Sequence, residues 1–234
     1  LGRDDFSLSV LRQLPRELEA REAWFDIYLA GYCTASNIEF RRSGLVSALR
    51  LLDKAMKYAD QQRLARLEDL LVCQRIELLV RAGQLKAARS LVSDSGMKLA
   101  DYRQGDGKQA AWRERDVAAL AMCRLLFAEG RGREALVELE YFSEDARHQG
   151  RLRSLLRYTL LMAQAAWAIG EETDAQGYMA EALTLSEHTG FIRPLLDEGA
   201  YLDELITLVL TGQALSEHTV QHALSIQKRF FFFF

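Results

Sequence analysis

His218 and His222 lie four residues apart, so in a helix they share one face and could together hold a metal ion. No third ligand stands near them in the chain, and no metal is expected. His148 and His188 fall at matching places near the ends of two helical stretches, where an imidazole interacts well with the last carbonyls. The stretch Gln104-Gly105-Asp106-Gly107-Lys108 lacks the flanking residues that a phosphate cradle needs and reads as a connector. There is no Gly-x-Ser-x-Gly and no His-Glu-x-x-His. No catalytic residue and no cofactor are expected, and the chain is read as a binding protein rather than an enzyme. Cys33, Cys73 and Cys123 are widely spaced, each within an apolar helical pattern. They support neither a disulfide framework nor a zinc site, and they fit a reducing cytoplasm.

The elements that would position any site are helices. With 49% apolar and 27% charged residues in 234, the chain can bury a sizeable core. It holds only two prolines, Pro15 and Pro194, and few β-branched residues beside its Leu, Ala, Arg and Glu. A formal charge of −3 gives no global reason for nucleic-acid binding. No basic and apolar leader and no membrane-length apolar run are visible, so no membrane contact is expected. A start at Leu1-Gly2 rather than Met leads to the expectation of an excised fragment. The run Phe230 to Phe234 resembles no folded element and reads as a non-native or misassigned tail.

Pro15 interrupts the first stretch, and a longer helical pattern begins at Glu17. Glycines then punctuate the chain at 44, 83, 130 and 170, with separations of 83 − 44 = 39, 130 − 83 = 47 and 170 − 130 = 40. The long interval is absorbed by the loop around Gly105 and Gly107. After each glycine a helix opens with a small residue: Ala88, Ala135 and Ala175 come five places on, and Ala48 comes four. A period near forty signals a solenoid of helix pairs, each packing its apolar face on the next. The expected fold is all-α, one domain over residues 1–229, with hairpins at approximately 17–60, 62–101, 109–148, 151–188 and 191–229. Gly190 suits a left-handed helix end, Pro194 a first turn, and Gly199 a further break.

These hairpins resemble tetratricopeptide repeats, here longer than the standard unit of about 34 residues. The segment Gly190-Phe191-Ile192-Arg193-Pro194-Leu195-Leu196-Asp197-Glu198-Gly199, preceded by Ala182-Leu183-Thr184-Leu185-Ser186-Glu187, is similar to the end of the helical-repeat sensor domain of MalT-like regulators in the LuxR class. The resemblance implies a tetratricopeptide-like superhelix belonging to a signal-responsive transcription activator. It further implies an ATPase before the array and a DNA-binding helix-turn-helix after it, neither of which is visible here.

In tetratricopeptide repeats the concave face is lined by first-helix positions thirteen, ten, six, three and two before the turn glycine. Carried over, Gly170 gives Arg157, Leu160, Gln164, Trp167 and Ala168, and Gly130 gives Val117, Leu120, Arg124, Phe127 and Ala128. Gly83 gives Leu70, Cys73, Glu77, Val80 and Arg81, and Gly44 gives Gly31, Thr34, Ile38, Arg41 and Arg42. The ligand-binding candidates are therefore Glu77, Arg81, Arg124, Phe127, Arg157, Gln164 and Trp167. An indole offers stacking area and a guanidinium a two-pronged donor, which suits a ligand with apolar or sugar-like faces and an anionic or hydroxyl group. Trp167 and Phe127 fit packing between repeats equally well. Trp24, Tyr28 and Trp112 read as packing, and Arg113-Glu114-Arg115-Asp116 reads as a solvated helix start. The expected partner is a small-molecule inducer or a regulatory protein or peptide, with self-association open and DNA reached only through another domain. The rival reading is a generic protein-interaction scaffold without a small-molecule ligand.

Overall fold

The computed structural model describes residue 9 and residues 25–103, 111–199, 201–212 and 215–233. The features read at Pro15, Glu17 and Trp24 and in the loop at 104–108 lie outside the described residues. Among the described residues the elements are helices and one short 3-10 turn, with no strand. They gather into two compact units, Leu1–Leu125 and Leu126–Phe234.

The first unit contains α1 (Phe25–Ser43), α2 (Leu45–Gln61), α3 (Ala65–Arg81), α4 (Leu85–Ser95), the 3-10 turn Leu99–Tyr102 and most of α5 (Trp112–Ala128). Helix α2 shows why a hairpin forms. Ala48, Leu52, Ala55 and Ala59 recur at helical spacing on one side, and all four are fully buried. That face packs on α1 and α3. Three of its four residues are alanines, so the backbones come close, and Tyr28, Leu29, Tyr32, Leu67, Leu70 and Leu71 complete the cluster around them. The phenols of half-buried Tyr58 and buried Tyr28 pair at 2.7 Å, which gives both hydroxyl groups a partner.

The second unit contains α6 (Gly132–His148), α7 (Leu152–Ala168), α8 (Glu172–Thr189), α9 (Arg193–Glu198), α10 (Tyr201–Gly212) and α11 (Glu217–Phe233). Helix α7 packs between α6 and α8 and is buried over most of its length. Phe142 stacks on Tyr158 with ring centres 6.2 Å apart. Pro194 occupies the first turn of α9, where its missing N–H leaves no bond unmade. Helix α11 continues through the phenylalanine run to Phe233, and Phe230 is buried. Phe230 lies on the α11 side that also buries Ala223 and Ile226.

One turn geometry closes most of the joints. Within hairpins the amide of Gln84 donates to the Leu79 carbonyl at 2.8 Å, Arg131 to Leu126 at 3.0 Å and Glu171 to Ala166 at 2.9 Å. Each bond spans a glycine with φ of 72°, 78° and 82° in turn, a left-handed conformation that glycine adopts at little cost. The same bond closes two joints between hairpins, from Leu64 to Ala59 and from Arg151 to Ala146, both at 2.8 Å. Gly150 takes the left-handed place in one, while in the other it falls to Arg63, with φ 54°. The joint at Gly44 is different. Helix α1 runs to Ser43 and α2 begins at Leu45, so this turn is tighter than the other three.

The last helices are tied back through Ser186, which is fully buried. Its hydroxyl donates to the Phe191 carbonyl at 3.2 Å, so the 2.9 Å contact with Nε2 of His222 is one in which the imidazole donates. Burial lowers the His222 pKa below its ordinary 6.5, Glu187 works against that shift, and Arg229 adds to it.

Four substitutions test these contacts through stability. A Cβ on Gly132 would meet Cγ2 of Ile169 at 2.7 Å, on a branched side chain with little freedom, whereas a Cβ on Gly177 would meet nothing within 4 Å. In urea unfolding, Gly132→Ala should cost about 1–3 kcal/mol through overpacking. Gly177→Ala, in an exposed helix interior, should add about 0.5–1 kcal/mol. Arg63→Gly should also stabilise, by roughly 0.5–1 kcal/mol, because relief of left-handed strain outweighs the added freedom of the unfolded chain. The sign for His222 is that of a depressed group: the unfolded chain binds its proton more readily, so stability is lost as pH falls through 6.5. The loss stops growing once pH passes below the folded pKa, and His222→Asn should flatten that part of the stability–pH curve.

Candidate functional site

The first helices of the hairpins, α1, α3, α5 and α7, are the more apolar and more buried members, yet each carries a polar residue at the same place. Counting back eleven residues from the hairpin alanines gives 48 − 11 = 37, 88 − 11 = 77, 135 − 11 = 124 and 175 − 11 = 164, which are Asn37, Glu77, Arg124 and Gln164. Counting back eight gives Phe40, Val80, Phe127 and Trp167. A polar group is thus followed one turn later by an apolar or aromatic one in all four helices. Spacing of three places both on one helix face.

In the first unit this face is a hydrogen-bonded line between α1 and α3. The Gln74 amide donates to Ser36 Oγ and to Asn37 Oδ1, both at 3.2 Å. Arg81 donates to the same Asn37 oxygen at 3.5 Å, and its guanidinium lies over the Phe40 ring, 5.2 Å from the centroid. Glu77 is 8% exposed and Arg124 is 7% exposed, so both are held inside the protein, whereas Arg81 is half-buried. Burial raises the Cys73 thiol, with Asp69, Cys33 and Glu77 adding to the effect. That leaves a protonated, unreactive thiol rather than a nucleophile. The Tyr102 phenol is raised by burial too, then by Cys73 and Asp69.

In the second unit the face belongs to α7. Gln164 is 6% exposed, and its amide donates to the Leu160 carbonyl at 3.2 Å and to Oε2 of Glu198 at 3.1 Å. Trp167, Phe127 and Arg157 are half-buried. On the second helices Tyr178 donates to Glu140 at 3.3 Å, and burial, helped by Glu140, pushes its phenol up to about 12. Arg147 bridges Glu144 and Glu181, each at 2.7 Å.

The structure brings Glu77 and Arg81 together on α3, and Arg157, Gln164 and Trp167 on α7. It moves the first-repeat set by one residue. The tighter turn at Gly44 shifts the count, so Ile38 is a buried core residue and Asn37 carries the polar position. Asn37, Phe40, Ser36, Gln74 and Glu198 were missed by counting from glycines, whereas counting from the hairpin alanines finds the first two. Tyr28 packs as expected, but Trp112 is 45% exposed with the Arg113 guanidinium 4.9 Å from its ring. The Arg113–Asp116 stretch is not a simple solvated start either. Asp116 is 4% exposed, and Glu114 pairs with Arg66. His148 meets Glu144 at 3.0 Å in the last turn of α6, and His188 meets Glu187 at 3.4 Å in that of α8. His218 is exposed while His222 turns to Ser186, and no group of three potential metal ligands occurs among the described residues. No helix among them is long and apolar enough to cross a membrane.

Comparison with known proteins places this geometry. A family profile described as the MalT-like TPR region matches residues 26–211. The chain is 31% identical over 109 residues to the HTH-type transcriptional regulator MalT of Cronobacter sakazakii (strain ATCC BAA-894), and 30% identical over 119 residues to that of Klebsiella pneumoniae (strain 342). The matched stretches make up 47% and 50% of this chain but 11% and 12% of those regulators, so it spans about a tenth of the length of the curated relatives it matches. With the profile covering most of the helical array, the chain belongs to the MalT-like TPR-region family.

Proposed function

We propose that this chain is the signal-receiving helical-repeat region of a cytoplasmic MalT-like transcription activator, and that it binds an inducer or a regulatory protein along its first helices. The observation that carries the reading is the polar-then-apolar pair repeated at one place in four helices, with an aromatic second member in three of them. In the first unit Arg81 supplies a guanidinium donor, with Glu77 and Arg124 as polar positions; in the second Trp167 and Phe127 supply stacking area, Arg157 a guanidinium donor and Gln164 the polar position. The chemistry is recognition, and DNA contact belongs to a separate domain of the full regulator.

The mechanism is a population shift. Helix pairs in a repeat array are coupled mainly to their neighbours, so a ligand that touches more than one of them favours whichever packing gives it better contacts. That bias is what a repeat region can pass to the domain it is joined to.

A thermal-unfolding screen of this chain against hydroxylated and anionic metabolites tests the reading. A binder present at about 100 times its Kd should add about 2.7 kcal/mol. For a domain of this size that raises Tm by roughly 5–10 °C. Arg157→Ala and Trp167→Ala should each weaken that binder at least about tenfold while leaving the helical circular dichroism unchanged. A screen in which nothing shifts would sink the small-molecule inducer and leave a scaffold that binds peptides or proteins.

A further inference from the structure

We propose that the outer face of α2 docks on the phosphate backbone of duplex DNA through Arg50, Lys54 and Lys57. The contact carries no sequence preference and adds to the one made by the regulator's separate DNA-binding domain. It goes beyond the inducer reading and uses a different helix.

The net charge of −3 hides an uneven distribution. In the first unit the second helices α2 and α4 carry five cations and three acids, whereas in the second unit α6 and α8 carry two cations and nine acids. Several cations of the second unit are also spent internally. Arg133 meets Glu171, Arg147 meets Glu144 and Glu181, Arg151 meets Asp145, and Arg193 meets Asp197. On α2 the opposite holds. Arg50, Lys54 and Lys57 are exposed, and among the described residues none of the three side chains forms an ion pair or a hydrogen bond.

Their spacing of four and three residues puts them on one helix face, turned away from Ala48, Leu52, Ala55 and Ala59, which are buried where α2 packs on α1 and α3. At a rise of 1.5 Å per residue the stripe is about 10 Å long, a length over which one strand of a duplex presents about three phosphates. Asp53, on the same helix, is held by Arg75 of α3, so it does not cancel the cation next to it. Asp60 lies one turn beyond Lys57 and ends the stripe.

The same face is poorly suited to a protein partner. Protein interfaces centre on apolar and aromatic side chains and are depleted in lysine, whereas contacts to a phosphate backbone are made largely by exposed Lys and Arg. Val46, 62% exposed, is the one large apolar side chain that α2 presents to solvent. A duplex asks for charge alone and needs no apolar centre. Three phosphate contacts are weak by themselves, but a duplex already held by the separate DNA-binding domain stands at high effective concentration, so a weak second attachment still adds to the whole.

Fluorescence anisotropy of this chain with labelled duplexes tests the proposal. Two duplexes of unrelated sequence should bind alike, and the logarithm of the binding constant should fall with that of salt concentration at a slope of about −2.7, or about 0.9 for each phosphate neutralised. Between about 50 and 150 mM salt that is a loss of about twentyfold. Replacing Arg50, Lys54 and Lys57 together by Gln should abolish binding, while the same replacement of exposed Arg153, Lys228 and Arg229 in the second unit should leave it unchanged. Should the triple α2 variant lose helical circular dichroism, the single substitutions carry the test, each lowering the slope by about 0.9. Polyglutamate at matched charge should compete at least about tenfold more weakly than unlabelled duplex, because its charges are less densely spaced. No binding at low salt, a slope unmoved by the α2 substitutions, or an equal loss in the second-unit variant would each overturn the proposal. Equal competition by polyglutamate would overturn it in favour of an acidic protein partner. None of these outcomes touches the inducer reading, which stands or falls on the metabolite screen.

Discussion

Everything in this structure depends on how closely two helix backbones can approach at a few alanines. Ala48, Ala88 and Ala175 are fully buried, each on the second helix of a hairpin that packs on its first, and Ala135 is fully buried at the equivalent place of α6. A larger side chain there would push the helices apart and open voids along the pair, and protein interiors tolerate such voids poorly. Close approach lets the first helix bury nearly its whole circumference, as α7 does, so that its few polar positions stand out against apolar neighbours. The left-handed turns follow from the same constraint. Helices packed this tightly leave room for only a few connecting residues, and a glycine with positive φ reverses the chain within them.

Much of this was legible in the sequence. Helical periodicity and the near absence of proline indicated an all-α chain, and the glycines at 44, 83, 130 and 170 all take positive φ. What the sequence concealed were features without a local signature. Arg63 takes a left-handed joint with no glycine to announce it, because the bond from Leu64 to Ala59 and the packing on either side hold it there. Asp116 looked like part of a solvated charged run, but it faces inward on α5. The candidate site was half legible. Register arguments reach a residue on a helix, as for Gln164, Trp167 and Arg157, but they do not reveal a partner such as Glu198 that arrives from another element.

The polar residues of the first helices are costly to bury, and the structure shows how that cost is contained. Ser36, Gln74 and Asn37 satisfy one another across α1 and α3, and Thr159 returns its hydroxyl to the Leu155 carbonyl within α7. A satisfied buried network contributes little net stability compared with an apolar core of the same shape. Its effect is to fix the relative rotation of neighbouring helices, because the bonds form in one register only. A recognition surface built on such a framework keeps its donors and acceptors in place before any ligand arrives, which reduces the ordering that binding would otherwise require.

The exception at Gly44 shows which of these features governs. Its turn has one connecting residue where the other hairpins have three, and the interval from glycine to alanine shrinks from five to four. The interval from alanine back to the polar residue stays at eleven, and Asn37 rather than Ile38 meets the Gln74 amide. Had the turn set the register, α1 would be rotated by one residue, roughly 100° about its axis. Asn37 would then be carried off its face and Ile38 brought onto it. The packed helix faces hold their alignment and the turn adapts, so the spacing between buried side chains, more than the loop that joins them, identifies equivalent positions along this chain.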